Sequence, residues 1–380
     1  MTNHWFWSFL GGLLLLVGCG DTDSPSFTVE ERDGVTYAIN KGTNVWPDTA
    51  SSPIQFTHMQ TYGTKNGPEE TLFGRIADVA VGPDGTVYVL DADAPRLVAF
   101  KPDGSVLWSV AQSGEGPGEF KRPTALVKGS GPRLYIANKS GRILDVWTTG
   151  GTFVKRHTFD DSEVRFFQLA GRVGDRLVGA EPFPPKKAQL TRVIDPTTGR
   201  LAHSFPLELS LDLPVGTKSA VTTIGDRVVA SGVAEYTLSW YSPEDTLTRR
   251  ITRDTPFPME PAEAKTDNGR TMRNNYSQLH APVQLPSGHL LVTASWATNV
   301  DDPDAYLRRS LNDNAEDPAL ATVLDVFEKD GRYLGSLRWN GRRTSPIGEP
   351  QMVGPQGRLY TTTDEPFPQV RTYEVTIRKQ

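Results

Sequence analysis

The hydrophobic pattern of residues 79–91, VAVGPDGTVYVLD, consists of two Val-rich runs separated by Gly-Pro-Asp-Gly. Val, Tyr and Leu favour the pleated, half-buried surface of a sheet. Gly and Asp favour the tight reversal between two strands. The stretch therefore predicts a β-hairpin. Because a lone hairpin is marginally stable in water, we expect it to belong to a larger sheet.

The same pattern recurs along the chain, which indicates a repeat protein. Five further copies follow the first: LVKGSGPRLYIAN (126–138), QLAGRVGDRLVGAE (168–181), VTTIGDRVVASG (221–232), PVQLPSGHLLVTAS (282–295) and MVGPQGRLYTTTD (352–364). Each copy continues into further predicted strands, most clearly in LVAFKPDGSVLWSV (97–110). Four strands at a period of roughly 40–50 residues are typical of a β-propeller blade. The pattern predicts an all-β, six-bladed propeller with four-stranded antiparallel blades.

The two ends of the propeller sequence predict how the ring closes. The last copy has only about three predicted strands and ends near RTYEVTIR (371–378). An unassigned strand, PIQFTHMQTYG (53–63), precedes the first copy. We expect this N-terminal strand to complete the last blade, within a propeller domain over residues 51–380.

Two segments resemble the NHL-repeat family of six-bladed propellers. They are NGPEETLFGRIADVAVGPDGTVYVLDADAPRLVAFKPDG (66–104) and GEGPGEFKRPTALV (114–127). The match is good over two blades and degenerate over the other four. The chain also resembles bacterial outer-envelope propeller lipoproteins.

The N-terminal segment resembles a signal for export and lipidation. Residues 5–18, WFWSFLGGLLLLVG, form an apolar run of signal-peptide length that leads into Cys19. Leu16-Val17-Gly18-Cys19 resembles the bacterial lipobox, although the preceding MTNH lacks Lys and Arg. We predict a signal peptide over 1–18, a lipidated Cys19 and a polar tether over 19–50. The alternative is an ordinary cleaved signal with an incidental Cys.

Net charge and cysteine content argue against some classes of partner and site. The net charge is −5 and both signs are spread along the chain, which argues against nucleic-acid binding. A single Cys excludes an internal disulfide and a Cys-based zinc site. We expect a monomer in the bacterial cell envelope, held by its lipid anchor at the outer membrane or on the periplasmic face.

Strand direction predicts one loop-rich face on the ring. The turns after the first and third strands of each blade are short, whereas the connections on the opposite face include 181–189, 254–277 and 297–320. Long loops on a rigid scaffold commonly bind ligands. Drift in tolerant surface loops is the alternative explanation.

Residues just before the inner strands are candidates for binding at the channel mouth on this face. Arg75, Arg122 and Arg165 align there in blades one to three, and His280 lies near the inner strand of blade five. Guanidinium groups bind carboxylates and phosphates with two hydrogen bonds, so a small anionic ligand is one interpretation. The alternative is a basic residue that serves packing and loop hydrogen bonds.

The ends of the second strands supply candidate metal ligands. Asp91, Asn138 and Glu181 align there, and oxygen ligands from several blades could hold Ca²⁺. Lactonase-like six-bladed propellers use acidic and amide ligands in this general region, which suggests the metal interpretation. Local hydrogen bonding to backbone is the alternative for Asp and Asn.

Two functional hypotheses follow. The first is an envelope-anchored lipoprotein that binds a ligand or a protein through its loop-rich face, without catalysis and without a cofactor. The second is a lactonase-like, metal-dependent hydrolase or lyase with its site at the central channel. The fold does not decide between them.

Overall fold

A computed structural model of the chain describes most of the propeller. The described residues are 26–46, 52–159, 168–181, 190–207, 220–232, 235–255, 257, 259, 262–265, 269, 271–274, 276–298, 300, 302–310, 319–339 and 345–378.

The described strands follow in chain order and form six blades. The N-terminal strands are β1 (Ser26–Arg32), β2 (Val35–Lys41), β3 (Val45–Trp46) and β4 (Ile54–Tyr62). Blade one contains β5 (Ile76–Val81), β6 (Val87–Asp91), β7 (Arg96–Phe100) and β8 (Val106–Val110). Blade two contains β9 (Ala125–Lys128), β10 (Arg133–Asn138), β11 (Ile143–Thr148) and β12 (Phe153–Thr158). Blade three contains β13 (Gln168–Val173), β14 (Arg176–Glu181), β15 (Leu190–Ile194) and β16 (Leu201–Pro206).

The second half of the ring carries the irregular elements. Blade four contains β17 (Val221–Ile224), β18 (Arg227–Ser231), β19 (Thr237–Tyr241) and β20 (Leu247–Arg253). A hairpin follows, made of β21 (Ala262–Lys265) and β22 (Thr271–Asn274). Blade five contains β23 (Ser277–Leu279), β24 (Val283–Gln284), β25 (Leu290–Ala297), helix α1 (Pro303–Ser310), β26 (Leu320–Phe327) and β27 (Tyr333–Trp339). Blade six contains β28 (Glu349–Val353), β29 (Leu359–Thr363) and β30 (Gln369–Ile377), and two single 3-10 turns lie at Glu69–Thr71 and Lys139–Gly141.

Burial along blade one shows why its sequence has this pattern. Every residue of β6, VYVLD, is buried, because neighbouring blades cover both faces of this strand. The outer strand β8, VLWSV, instead alternates between exposed and half-buried positions. Continuous apolar runs therefore mark strands inside the ring, and alternating runs mark its outer edge.

The Gly-Pro-Asp-Gly turn of blade one depends on its polar and glycine positions. Asp84 Oδ1 accepts a hydrogen bond from the Thr86 backbone N–H at 3.1 Å, and its other carboxylate oxygen accepts one from the Thr86 hydroxyl at 2.8 Å. Gly85 has a φ of +83°, in the left-handed region that other residues rarely adopt. The turn can therefore reverse the chain within a few residues.

The ring closes between the two ends of the propeller, as the sequence predicts. Strand β4 pairs antiparallel with β30, from Tyr62 opposite Val370 to Ile54 opposite Ile377. The last blade thus contains three C-terminal strands and one N-terminal strand. The prediction of a six-bladed, all-β ring closed by the N-terminal strand is confirmed.

Apolar contacts between neighbouring blades form the core. Leu97 of blade one and Trp147 of blade two share one cluster, and Val193 of blade three and Val228 of blade four share another. Fully burying one such aliphatic side chain contributes about 1.5–3 kcal/mol to folding. Each blade is therefore stabilised mainly by its two neighbours.

The expected tether over 19–50 is wrong for residues 26–46. Strands β1 and β2 form a hairpin whose second strand pairs in parallel with β20, on the outer edge of blade four. Strand β3 pairs in parallel with β27, on the outer edge of blade five. Nearly all residues of β1 are exposed, so its polar sequence is that of a charged edge strand, which composition does not separate from a linker. Cys19 and the signal segment lie outside the described residues.

Side-chain hydrogen bonds attach this N-terminal segment to blades four and five. Asn40 Nδ2 donates to the carbonyls of Thr252 and Gly331 at 3.1 and 3.0 Å. Its Oδ1 accepts a hydrogen bond from the Tyr333 backbone N–H at 2.7 Å. Asn40 is 3% exposed, so these bonds are buried.

Candidate functional site

The two insertions of blade five fold against each other. Leu307 of α1 packs on Ala262 and Ala264 of the β21–β22 hairpin. The rings of Tyr276 and Tyr306 meet edge to face, with their centroids 5.3 Å apart. The described parts of 254–277 and 297–320 therefore lie together on one side of the ring, as strand direction predicts. We call α1 and the β21–β22 hairpin the blade-five appendage.

The third predicted insertion, 181–189, lies outside the described residues apart from the backbone of Glu181 at the end of β14.

His280 contacts Glu349 across blades five and six. His280 lies between β23 and β24, in the inner part of blade five, and Glu349 is the first residue of β28. Imidazole Nδ1 contacts the Glu349 carboxylate. The two side chains are 24% and 43% exposed, so solvent reaches the pair.

Backbone contacts hold His280 in place. Its N–H donates to the Thr293 carbonyl, and its carbonyl accepts from the Ser231 hydroxyl, both at 2.9 Å. Because Glu349 engages Nδ1, the Nε2 atom is the ring nitrogen that can meet a bound molecule. Within the described residues, no protein group hydrogen-bonds Nε2. Glu349 was not predicted, since 69 residues separate it from His280 and no motif links the two.

Arg75 and Arg122, the two predicted arginines that the structure describes, are exposed. The Nε atom of Arg75 pairs with Asp93 Oδ1 at 3.1 Å, and both side chains are more than half exposed. Arg122 is exposed and has a φ of +50°. Arg165 lies outside the described residues. Neither Arg75 nor Arg122 lines the channel cavity described below.

Asp91 fixes the loop at the start of blade one. Its carboxylate accepts hydrogen bonds from the backbone N–H groups of Gly74, Arg75, Asp93 and Ala94, at 2.9–3.2 Å. The residue is fully buried. These bonds occupy the oxygens that would otherwise bind a cation.

Asn138 has the equivalent role in blade two. Its Oδ1 accepts from the N–H groups of Lys121 and Lys139 at 2.9 and 2.8 Å. Its Nδ2 donates to the Glu119 carbonyl and to Asp145 Oδ2, both at 2.8 Å. All four hydrogen-bonding positions of the amide are therefore in use.

The candidate calcium ligands are thus engaged elsewhere where the structure describes them. Asp91 and Asn138 bind local backbone, which is the alternative raised for them above. The side chain of Glu181 lies outside the described residues. Across the described parts of the chain, no three His, Cys, Asp or Glu side chains come together in a way that could hold a metal.

A cavity of about 520 Å³ lies in the central channel. All six inner strands line it, through residues 78–81, 126–128, 170–172, 222–225, 282–284 and 351–355. Most of these residues lie toward the ends of the inner strands, next to the short turns. The cavity is therefore nearer to the short-turn face than to the loop-rich face, and sequence reasoning missed it.

Asp78 is an acidic group inside this cavity. Its carboxylate accepts hydrogen bonds from the N–H groups of Val79 and Leu126, both at 2.8 Å. The residue is half-buried where it borders the channel. This burial raises the pKa of Asp78 to about 6, although the two backbone hydrogen bonds oppose the shift. A carboxyl group within an apolar inner strand was the one sequence signal for this site.

These observations define a six-bladed β-propeller with an elaborated blade five, and comparison with known proteins places it among propellers. No family model matches the chain. Human NHL repeat-containing protein 3 is 27% identical over 88 residues, which covers 22% of this chain and 25% of the human protein. The resemblance to NHL repeats is therefore supported by a weak relative over a quarter of that relative's length.

Two solved bacterial structures share the fold. A member of the duf4221 family from Bacteroides vulgatus has a TM-score of 0.53 at 11% identity, with 85% of this chain and 99% of that chain covered. A candidate exported protein from Bacteroides fragilis has a TM-score of 0.54 at 9% identity, with 90% and 100% covered. At these identities the likeness concerns the fold alone. In the described portion of the chain, no helix has the length and apolar character needed to span a membrane.

Proposed function

We propose that this propeller is a binding protein of the bacterial envelope, anchored through a lipidated Cys19, which binds a protein partner through its blade-five appendage. The observation that carries the proposal is the packing of α1 against the β21–β22 hairpin. A four-stranded blade needs neither element. Both are nevertheless folded, with Leu307 and Ala262 only 4% and 1% exposed.

The outer surface of α1 is suited to contact with another protein. Arg308 and Arg309 are exposed on it, while Tyr306 and Leu307 face inward. Asp304 is exposed as well, and its Oδ1 accepts a hydrogen bond from the Glu263 backbone N–H of the hairpin at 2.6 Å. Tyr276, which contacts Tyr306, comes four residues before His280 and so connects the appendage to the channel mouth. Rigid elements that carry both charge signs can fix the register of a partner.

The hydrolase or lyase hypothesis loses most of its basis. It depended on Asp91, Asn138 and Glu181 as metal ligands, and the first two are engaged in buried hydrogen bonds. Two observations support export of the protein. One is the lipobox-like segment before Cys19, and the other is the fold shared with a candidate exported protein from Bacteroides fragilis.

Site-specific photo-crosslinking in living bacteria tests the appendage. A photoreactive residue at Arg309 is compared with one at Glu244, which is exposed on the short-turn face of blade four. We expect a discrete protein adduct from position 309 and none from position 244. Equal adducts from both positions, or none from either, would contradict the proposal. A covalent adduct with the mass of a small molecule, in place of a protein adduct, would contradict a protein partner.

A further inference from the structure

The channel mouth on the short-turn face carries two cations from neighbouring blades. Lys128 is the last residue of β9 in blade two, and Arg172 lies near the end of β13 in blade three. Both line the cavity of about 520 Å³. They lie on the side opposite the blade-five appendage, so their role is independent of the function proposed above.

Turn carbonyls hold both cations in position. Lys128 Nζ donates to the carbonyl of Gly129 at 2.7 Å and also contacts that of Gly131. Arg172 Nη1 donates to the carbonyl of Gly174 at 2.7 Å. An ammonium has three N–H bonds and a guanidinium has five. Arg172 is exposed and Lys128 is half-buried, and each group keeps N–H donors that a bound molecule can reach.

The positive charges of Lys128 and Arg172 lie close enough to influence each other. Burial lowers the pKa of Lys128, and the nearby Arg172 lowers it further. Asp84 acts in the opposite direction, but its carboxylate is hydrogen-bonded to Thr86. The side-chain hydrogen bonds described for Lys128 and Arg172 are all to turn carbonyls, and none of the ion pairs between described residues includes either cation.

Two other acidic groups near this mouth are engaged as well. The Asp175 carboxylate contacts the hydroxyl of Ser130, between the turns of blades three and two. Asp78 accepts two backbone hydrogen bonds deeper in the channel. An incoming anion would therefore meet two donors whose charge is only partly balanced.

We propose that this mouth of the channel binds a small molecule through an oxyanion group, a carboxylate or a phosphate, held between Lys128 and Arg172. Guanidinium and ammonium groups form short, charge-assisted hydrogen bonds with such oxygens. The rest of the molecule enters a cavity whose lining includes Val127, Ile224 and Val353. Its volume is that of an ordinary small-molecule site.

Calorimetric titration of the purified protein at low ionic strength tests the proposal, with pyrophosphate and succinate as the two probes. We expect at least one probe to bind. Stronger binding of pyrophosphate would indicate a phosphate ligand, and stronger binding of succinate a carboxylate. Lys128→Gln and Arg172→Gln should each weaken binding by about tenfold, since loss of a charged hydrogen bond costs over 1 kcal/mol. Lys128→Arg keeps the charge and should retain most of the affinity.

Lys101→Gln is the matched control. It removes one positive charge from an exposed turn on the same face, outside the cavity lining. We expect its affinity to equal that of the unaltered protein. Circular dichroism of each variant verifies folding. The proposal is overturned if neither probe binds, or if Lys101→Gln weakens binding as much as the channel variants do.

Discussion

Arg253 and Asp325 form an ion pair between blades four and five, and their side chains are 1% and 0% exposed. Tyr236 donates to Asp325 Oδ2 at 2.6 Å, and Ser336 contacts Oδ1. The guanidinium stacks over the Tyr333 ring, 3.8 Å from its centroid. The pair therefore joins two blades through a buried polar network within an otherwise apolar interface.

Replacing Asp325 by Ala should destabilise the propeller strongly. The change leaves the guanidinium of Arg253 buried without its carboxylate, which typically costs 3–5 kcal/mol, so we expect about that loss. Chemical denaturation measures it. Arg75→Ala is the control, because it breaks an exposed pair with Asp93 and should cost about 0–1 kcal/mol. Equal losses of unfolding free energy in the two variants would show that Asp325 does not stabilise the contact between blades four and five.

Asp78 should make stability depend on pH in an unusual direction. Its pKa is raised from 3.8 to about 6 in the folded state. Between these values the folded protein binds a proton that the unfolded chain releases. The free energy of unfolding should therefore rise as the pH falls through about 6, and stop rising near pH 3.8, the pKa of Asp78 in the unfolded chain.

The measurement compares the protein with its Asp78→Asn variant by denaturation at about pH 7.5 and about pH 5. The difference in unfolding free energy should shift by about 1 kcal/mol in favour of the unaltered protein at the lower pH. Asp103→Asn is the control, because the pKa of Asp103 is lowered by hydrogen bonds from Ser105. A pH-independent difference between the protein and its Asp78→Asn variant would mean that Asp78 titrates normally.

The contribution of Asn138 to the stability of the fold should not depend on Ca²⁺. Asn138→Ala removes buried hydrogen bonds to Lys121, Lys139 and Asp145 and should cost about 1–3 kcal/mol. The melting temperature of each protein, with excess Ca²⁺ or with a chelator, gives the comparison. We expect the loss to be the same in both conditions. A Ca²⁺-dependent stabilisation that Asn138→Ala abolishes would restore the metal hypothesis.

Cys19→Ser should release the protein from the membrane fraction. The lipobox-like segment predicts acyl chains on this residue, and two or more chains anchor a protein stably. Fractionation followed by immunoblotting measures the distribution, and Ser24→Ala serves as the control that keeps the anchor. A Cys19→Ser variant that stays in the membrane fraction would disprove lipidation as the means of attachment.

The repeat could be predicted from sequence because each blade repeats a local pattern. The hairpin VAVGPDGTVYVLD shows its strands and its turn within 13 residues, and the incomplete last blade indicates the closing strand. The role of the N-terminal segment could not be predicted. Strands β1 and β2 add to an outer edge, where most side chains remain exposed and no apolar alternation is required.

The candidate sites were less predictable than the fold, because they depend on contacts between distant residues. Glu349 reaches His280 across the boundary between blades five and six, and Lys128 and Arg172 line one cavity only because blades two and three stack side by side. Asp91 and Asn138 were correctly placed at strand ends. Their hydrogen-bond partners, which decide what they do, are loop backbone groups that alignment of the repeats does not reveal.

The N-terminal segment passes along blades four, five and six in turn, as β2, β3 and β4. A mechanical load on the chain ahead of Ser26 would therefore reach the joint between β4 and β30 last. The short contact of β3 and the hairpin on blade four would give way before it. Because of this order of attachment, β2 and β3 would detach under load before the strand pairing that closes the ring is broken.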